Sequence, residues 1–105
     1  AVLLCKTAHG VSRLHAREAA PVNVVDTVGA GDSFLAGLLT ALLRLAQDAG
    51  CSPAEMAMRL QAEHQEQLLA HALATATLNV MRPGCQPPRL DEVLARLAGH
   101  PVVLS

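Results

Sequence analysis

The sequence predicts an α/β fold, a few strands with helices packed on them, and three observations carry that expectation. Residues 22–25 (Val-Asn-Val-Val) form an apolar run, residues 26–32 a glycine turn, and residues 33–46 a long apolar segment. That order reads as strand, turn, helix. Residues 1–5 and the alternating residues 11–16 flank a polar stretch that ends in Gly10, which reads as a hairpin. Hydrophobic residues make up 51% of the chain but aromatics only 1%, so the core must be built from Leu, Val and Ala, which suits helices on a sheet.

Taken in order, residues 1–5 read as a buried strand and residues 11–16 as its half-exposed partner. Residues 17–21 are a connector, and residues 22–25 are the strand that delivers the glycine turn. The first helix is expected over residues 30–48. Between residues 33 and 46 only Ser33, Thr40 and Arg44 are polar, and a helix apolar on nearly all sides reads as a buried one. Gly37 costs about 1 kcal/mol of helix propensity relative to Ala. Its expected benefit is close approach of another backbone. Gly50 fits a helix C-terminus.

Ser52 caps a second helix, with Pro53 at its first position and Glu55 completing a capping box. Residues 53–80 are long for one helix. Their polar centre, residues 61–67, reads as an exposed turn or helix end, so two helices or one kinked helix are expected. Residues 68–80, rich in Ala, Leu and Thr, read as buried. Pro83-Gly84 and Pro87-Pro88 mark a loop. Residues 90–98 form a last amphipathic helix, with Val93, Leu94 and Leu97 on one face and Gly99 at its end.

Composition excludes several function classes. Net charge is −1 with no basic stripe, and one Phe without Tyr or Trp gives no stacking platform, so no nucleic-acid partner is expected. The longest apolar stretch, residues 34–43, is too short to span a bilayer, so no membrane partner is expected. Cys5, Cys51 and Cys85 are odd in number and widely spaced, which fits reduced thiols in a cytoplasmic protein.

The chemistry sits at the glycine turn. A turn that opens a helix points N–H groups at one place, where the helix dipole also favours negative charge. Gly29, Ala30 and Gly31 thus read as a phosphate cradle, or as a sharp turn that needs small residues; both readings hold together. Asp32 lies on the first helical turn. A carboxylate there repels phosphate, so it makes better sense as a base that takes a proton from an attacking hydroxyl. The bland alternative is a charge that complements the dipole. Asp26 reads as a cap or turn carboxylate. His64 and His71, with Glu63 and Glu66, lack a His-Glu-x-x-His pattern and read as a solvated helix surface. Ala72, Ala74, Thr75 and Ala76 read as helix packing or as room for a flat ring, and Cys85 as an incidental small residue.

Residues 26–32, Asp-Thr-Val-Gly-Ala-Gly-Asp, resemble the C-terminal signature of the ribokinase/PfkB family of carbohydrate kinases, Asp-Thr-x-Gly-Ala-Gly-Asp. The match extends into Ser33-Phe34 and Ala36-Gly37, and loosely to Arg82-Pro83-Gly84-Cys85-Gln86-Pro87-Pro88. The resemblance implies the C-terminal part of a ribokinase-like three-layer α/β fold, with residues 1–105 as one partial domain. It implies ATP-dependent phosphorylation of a sugar hydroxyl. Asp32 would be the general base, Gly29, Ala30 and Gly31 the anion hole, and magnesium would arrive with ATP. The helix over residues 68–80 and the loop after it would border the adenine. A monovalent cation, usually potassium, would lie against Asp26 and carbonyls of Val28, Asn79, Arg82 and Gly84. Pro88 stands where some relatives add a Ser ligand, which leaves that cation site incomplete or absent.

Ribokinase-like enzymes are roughly three times longer, so the chain is expected to be a fragment, inactive alone, with the sugar pocket and magnesium-organising element upstream. The motif's wording is most similar to fructokinase-type members. A nucleoside or ketodeoxygluconate kinase of the same fold is the alternative. A truncated product that only binds nucleotide, or self-associates as a homodimer through exposed edges, is the non-enzymatic one.

Overall fold

The chain runs β1 (Val2–Thr7), β2 (Gly10–Arg17), α1 (Ala30–Ala49), α2 (Pro53–Met58), α3 (Ala62–Val80), α4 (Leu90–Gly99) and β3 (Val103–Leu104). The structure is a computed structural model that describes the backbone of residues 1–105 and the side chains of residues 1–6 and 8–105. The architecture is mixed α/β: an antiparallel sheet in the order β1-β2-β3, with α3 against it, α1 and α4 on α3, and α2 on α1. It is compatible with part of a ribokinase-like fold.

The hairpin forms as its pattern predicts, in register from Val2 opposite His15 to Thr7 opposite Gly10. Gly10 enters β2 at φ 126°, a backbone region that glycine alone adopts readily. The expectation of a buried first strand is corrected. Val2 and Leu4 are exposed, while Leu3 and Cys5 are half-buried. β1 is an edge strand and α3 covers only one of its faces, so alternate residues stay in water. β3 was not legible in the sequence, since two residues have no periodicity. It pairs with the end of β2 (Ala16 opposite Leu104, Arg17 opposite Val103), and His15 and Ser105 exchange N–H···O bonds of 2.9 Å.

The expected strand over residues 22–25 is also corrected: the segment is irregular. The N–H groups of Val25 and Asp26 both donate to the carbonyl of Val80, at 2.7 and 3.1 Å. An extended run becomes a strand only beside a ladder partner. Among the described residues this one meets the end of α3 instead, so its apolar composition signals contact rather than pairing.

α1 follows its signals closely. Gly29 stands at its N-terminus in the left-handed region (φ 77°) and Gly50 at its C-terminus (φ 69°). The Gly50 N–H reaches Gln47 O and the Cys51 N–H reaches Ala46 O, the paired bonds of a glycine-terminated helix. The expectation of burial on nearly all sides is corrected. Ser33, Gly37, Ala41 and Ala46 are buried, whereas Leu35, Leu39 and Leu43 are 54, 49 and 49% exposed. α1 packs on α3 and α2 along one stripe, and the opposite stripe keeps its leucines in solvent. Gly37 has the predicted close approach. A Cβ there would lie 2.5 Å from Thr75 Oγ1 and 3.1 Å from Ala72 Cα. Ala72 and Thr75 are buried in this packing, so these small residues of α3 serve helix contact.

Residues 53–80 resolve into two helices, α2 and α3, with the break at residues 59–61. Ser52 Oγ accepts the Glu55 N–H at 3.1 Å, as predicted, and its hydroxyl donates to the Glu55 carboxylate. The polar residues 62–67 are the first turns of α3, and the Gln61 N–H is taken by His64 Nδ1 at 3.2 Å. In α4, Val93 is buried and Leu97 half-buried. Leu94 is 40% exposed and shares with Leu97 the lining of one cavity, on the apolar face expected of α4. No helix is long and apolar enough to cross a membrane among the described residues.

Candidate active site

The end of α3 and the start of α1 lie side by side, and this juxtaposition builds the site. Gly29 takes the left-handed turn that converts the irregular segment into helix. The Ala30 N–H donates to Thr27 O at 3.2 Å, and the Ser33 N–H to Gly29 O at 2.8 Å. The first turn of a helix has no intrahelical acceptors for its N–H groups. No side chain caps α1, so the N–H groups of Gly31 and Asp32 are left pointing out of its N-terminus. Of the three residues expected to cradle phosphate, Ala30 therefore has its N–H turned back into the loop, and the Asp32 N–H adds to the outward set. Asp32 itself is exposed on this first turn, and Ser33 behind it is buried.

Asp26 is a structural clasp. Oδ1 accepts the Val28 N–H at 3.0 Å, closing a local turn, and Oδ2 accepts the Gly84 N–H at 3.0 Å, tying the turn to the loop after α3. The Val28 N–H, then the Gly84 N–H, hold its carboxyl below the usual value of 3.8. Gly84 occupies the left-handed region (φ 67°) that lets this loop double back. Asn79 makes a second clasp from beneath. It is fully buried; Nδ2 donates to Val28 O at 2.9 Å, and Oδ1 accepts the Gln86 N–H at 3.0 Å.

Arg82 points away from the turn. Its guanidinium pairs with Glu92 of α4, whose carboxyl is held below 4.5 first by the Arg89 N–H and then by Arg82. Asp26, Val28, Asn79 and Gly84 are thus joined in one hydrogen-bonded cluster, with Arg82 at its border.

Three participants were missed from sequence. Gln86 and the Asn79 side chain act through partners far along the chain, and no local pattern announces them. Cys85, read as incidental, lies against the turn: a Cβ on Gly29 would come within 2.4 Å of its Sγ. Gly29 is consequently required both by its φ and by the thiol packed on it.

His71 corrects the expectation of a solvated histidine surface. It is 5% exposed, where α3 meets α1, and burial, then the charge of Arg44, lowers its pKa from 6.5. It lines a cavity of about 380 Å³ with Ala41, Leu45, Leu94 and Leu97, at the opposite end of α1 from the glycine turn.

Compared with known proteins, residues 3–92 match the family model described as pfkB family carbohydrate kinase. No curated protein and no solved structure matches.

Proposed function

The chain belongs to the pfkB family of carbohydrate kinases, and from that premise we propose that it carries the phosphoryl-transfer end of an ATP-dependent sugar kinase. The observation that carries the reading is the pairing, on one helical turn, of outward N–H groups with an exposed carboxylate, Asp32. A sugar hydroxyl attacks the γ-phosphorus of ATP, and its O–H bond breaks as the new P–O bond forms. Asp32 takes that proton. The N–H groups of Gly31 and Asp32 face the negative charge on the transferring phosphoryl, with Gly29 and Ala30 shaping the turn that aims them. Magnesium comes with the nucleotide as part of the substrate and offsets phosphate charge.

The substrate class we favour is a ketose such as fructose, on the wording of residues 26–34 and 85–88. The test is ATP-dependent phosphorylation of a panel of sugars, ketodeoxygluconate and nucleosides by the protein that carries this chain, beside its Asp32→Asn variant. One hydroxyl substrate should be turned over, and the variant should lose about 10²–10⁴-fold in kcat, the usual contribution of a positioned base. A variant with unimpaired turnover removes Asp32 from the chemistry and leaves a phosphate-binding turn.

A further inference from the structure

The Val28 carbonyl is where this chain departs from the cation site that its family resemblance implies. That site needs oxygen atoms turned toward a common centre. Here the Val28 oxygen accepts Asn79 Nδ2 at 2.9 Å, and the two Asp26 oxygens accept the N–H groups of Val28 and Gly84. The Asn79 carbonyl accepts the Arg82 N–H at 3.2 Å. Pro88 offers no hydroxyl. Each of these acceptors already spends a lone pair on an N–H donor, whose hydrogen carries positive partial charge and would repel an alkali ion seated beside it, so these oxygens do not form a cage for one at Val28.

The amide orientation that creates this misfit is fixed by its partners. The Gln86 N–H can only donate, so it must face Oδ1; the Val28 carbonyl can only accept, so it must face Nδ2. Asn79 is fully buried, so its amide would be left without partners inside the fold if these two bonds were lost. It is a positioning residue, in contact with the turn and not with any reacting atom.

We propose that the Asn79 side-chain amide takes the place of the monovalent cation in this protein, clamping the Val28 carbonyl from within so that the turn over residues 28–32 keeps its shape without an alkali ion. The proposal rests on the kinase reading only for its catalytic consequence, which is turnover indifferent to potassium.

The test is thermal unfolding, with amide NMR, of the chain in potassium, sodium and tetramethylammonium chloride at equal ionic strength. An alkali site half-filled at a tenth of the salt concentration used would raise Tm by roughly 5–10 °C. The expected result is coincident melting in all three salts, with Val28, Gly29 and Gly84 amide resonances that do not follow potassium. A potassium-specific rise of that size, or a saturable shift of those resonances, overturns the proposal. Asn79→Ala removes the clamp on the Val28 carbonyl and should melt lower in all three salts, with the Val28 and Gly29 amide resonances displaced; a variant that melts as the unsubstituted chain does, with those resonances unmoved, also overturns it. If the variant does not fold, the unsubstituted chain still decides. No catalysis is measured, so failure of the sugar assay and failure of this proposal are separate events.

Discussion

Asp26 and Asp32 lie on either side of one glycine turn and are held in opposite ways. Asp26 spends both oxygens on backbone N–H groups, while no hydrogen bond from the described residues holds the carboxylate of Asp32. A clasped carboxylate and an exposed one are thereby separated within one motif. The shifted groups of the chain give an ordered acid response. His71 has a folded pKa below 6.5, so as pH falls through 6.5 the unfolded chain takes up a proton that the buried imidazole refuses, and stability drops. Asp26 and Glu92 are lowered as acids, so their contribution is present above 3.8 and 4.5 and is lost as pH falls through their folded values. Urea unfolding across pH should therefore show a first loss beginning below pH 6.5 and a second in the strongly acid range. His71→Leu should abolish the first and leave the second; a first loss that survives in the variant would place its origin elsewhere. The motif residues were legible because their chemistry is local, seven consecutive positions in one turn. Asn79 was legible only as a backbone position. Its side chain acts on Val28 across 51 residues, and no spacing in the sequence encodes that contact.

The contact of α1 with α3 is set by a single missing side chain. Alanine at position 37 would favour the helix by about 1 kcal/mol. It would also push a methyl group to 2.5 Å from Thr75 Oγ1, 2.8 Å from Thr75 Cβ and 3.1 Å from the Ala72 backbone. Two of these obstacles are main-chain or branch-point atoms that no rotamer change can move. Gly37→Ala should consequently destabilise by about 1–3 kcal/mol, the usual cost of overpacking, read as a lower urea midpoint. Adding Thr75→Ala removes the hydroxyl but not the Cβ or Ala72, so only part of the loss should return. Full recovery would mean that the Thr75 hydroxyl alone sets the separation. Helix ends were legible for the same reason as the motif: Ser52-Pro53 and Gly50 act on their own turn. Residues 22–25 and the leucines of α1 were not. Whether an apolar run pairs as a strand, or a helix is covered on its second side, depends on neighbours that local sequence does not name.

At the scale of the molecule, one polar knot ties distant parts together. Glu18, in the connector that leads toward the motif, accepts the Thr77 hydroxyl of α3 at 2.7 Å and an Arg96 Nη2 hydrogen of α4 at 3.2 Å. Both charged side chains are 13% exposed, and Arg96 Nε is buried without a partner among the described residues. The contacts join positions 59 and 78 residues apart, so the knot fixes the connector against two helices that arrive later in the chain. A buried ion pair gains little over a well-packed apolar pair, but removing one partner strands the other and costs about 3–5 kcal/mol. Arg96→Met should then destabilise by about 3 kcal/mol, since Glu18 keeps only the Thr77 hydroxyl. Glu18→Gln retains an acceptor for Thr77 but leaves the guanidinium unpaired, so it should also destabilise. The double variant should cost clearly less than the two single losses added together, because neither charge is then stranded. Chemical denaturation of the four proteins reads this coupling directly. Additive losses would mean that water already satisfies both charges, and that the connector is held by the Val80 carbonyl and the sheet instead.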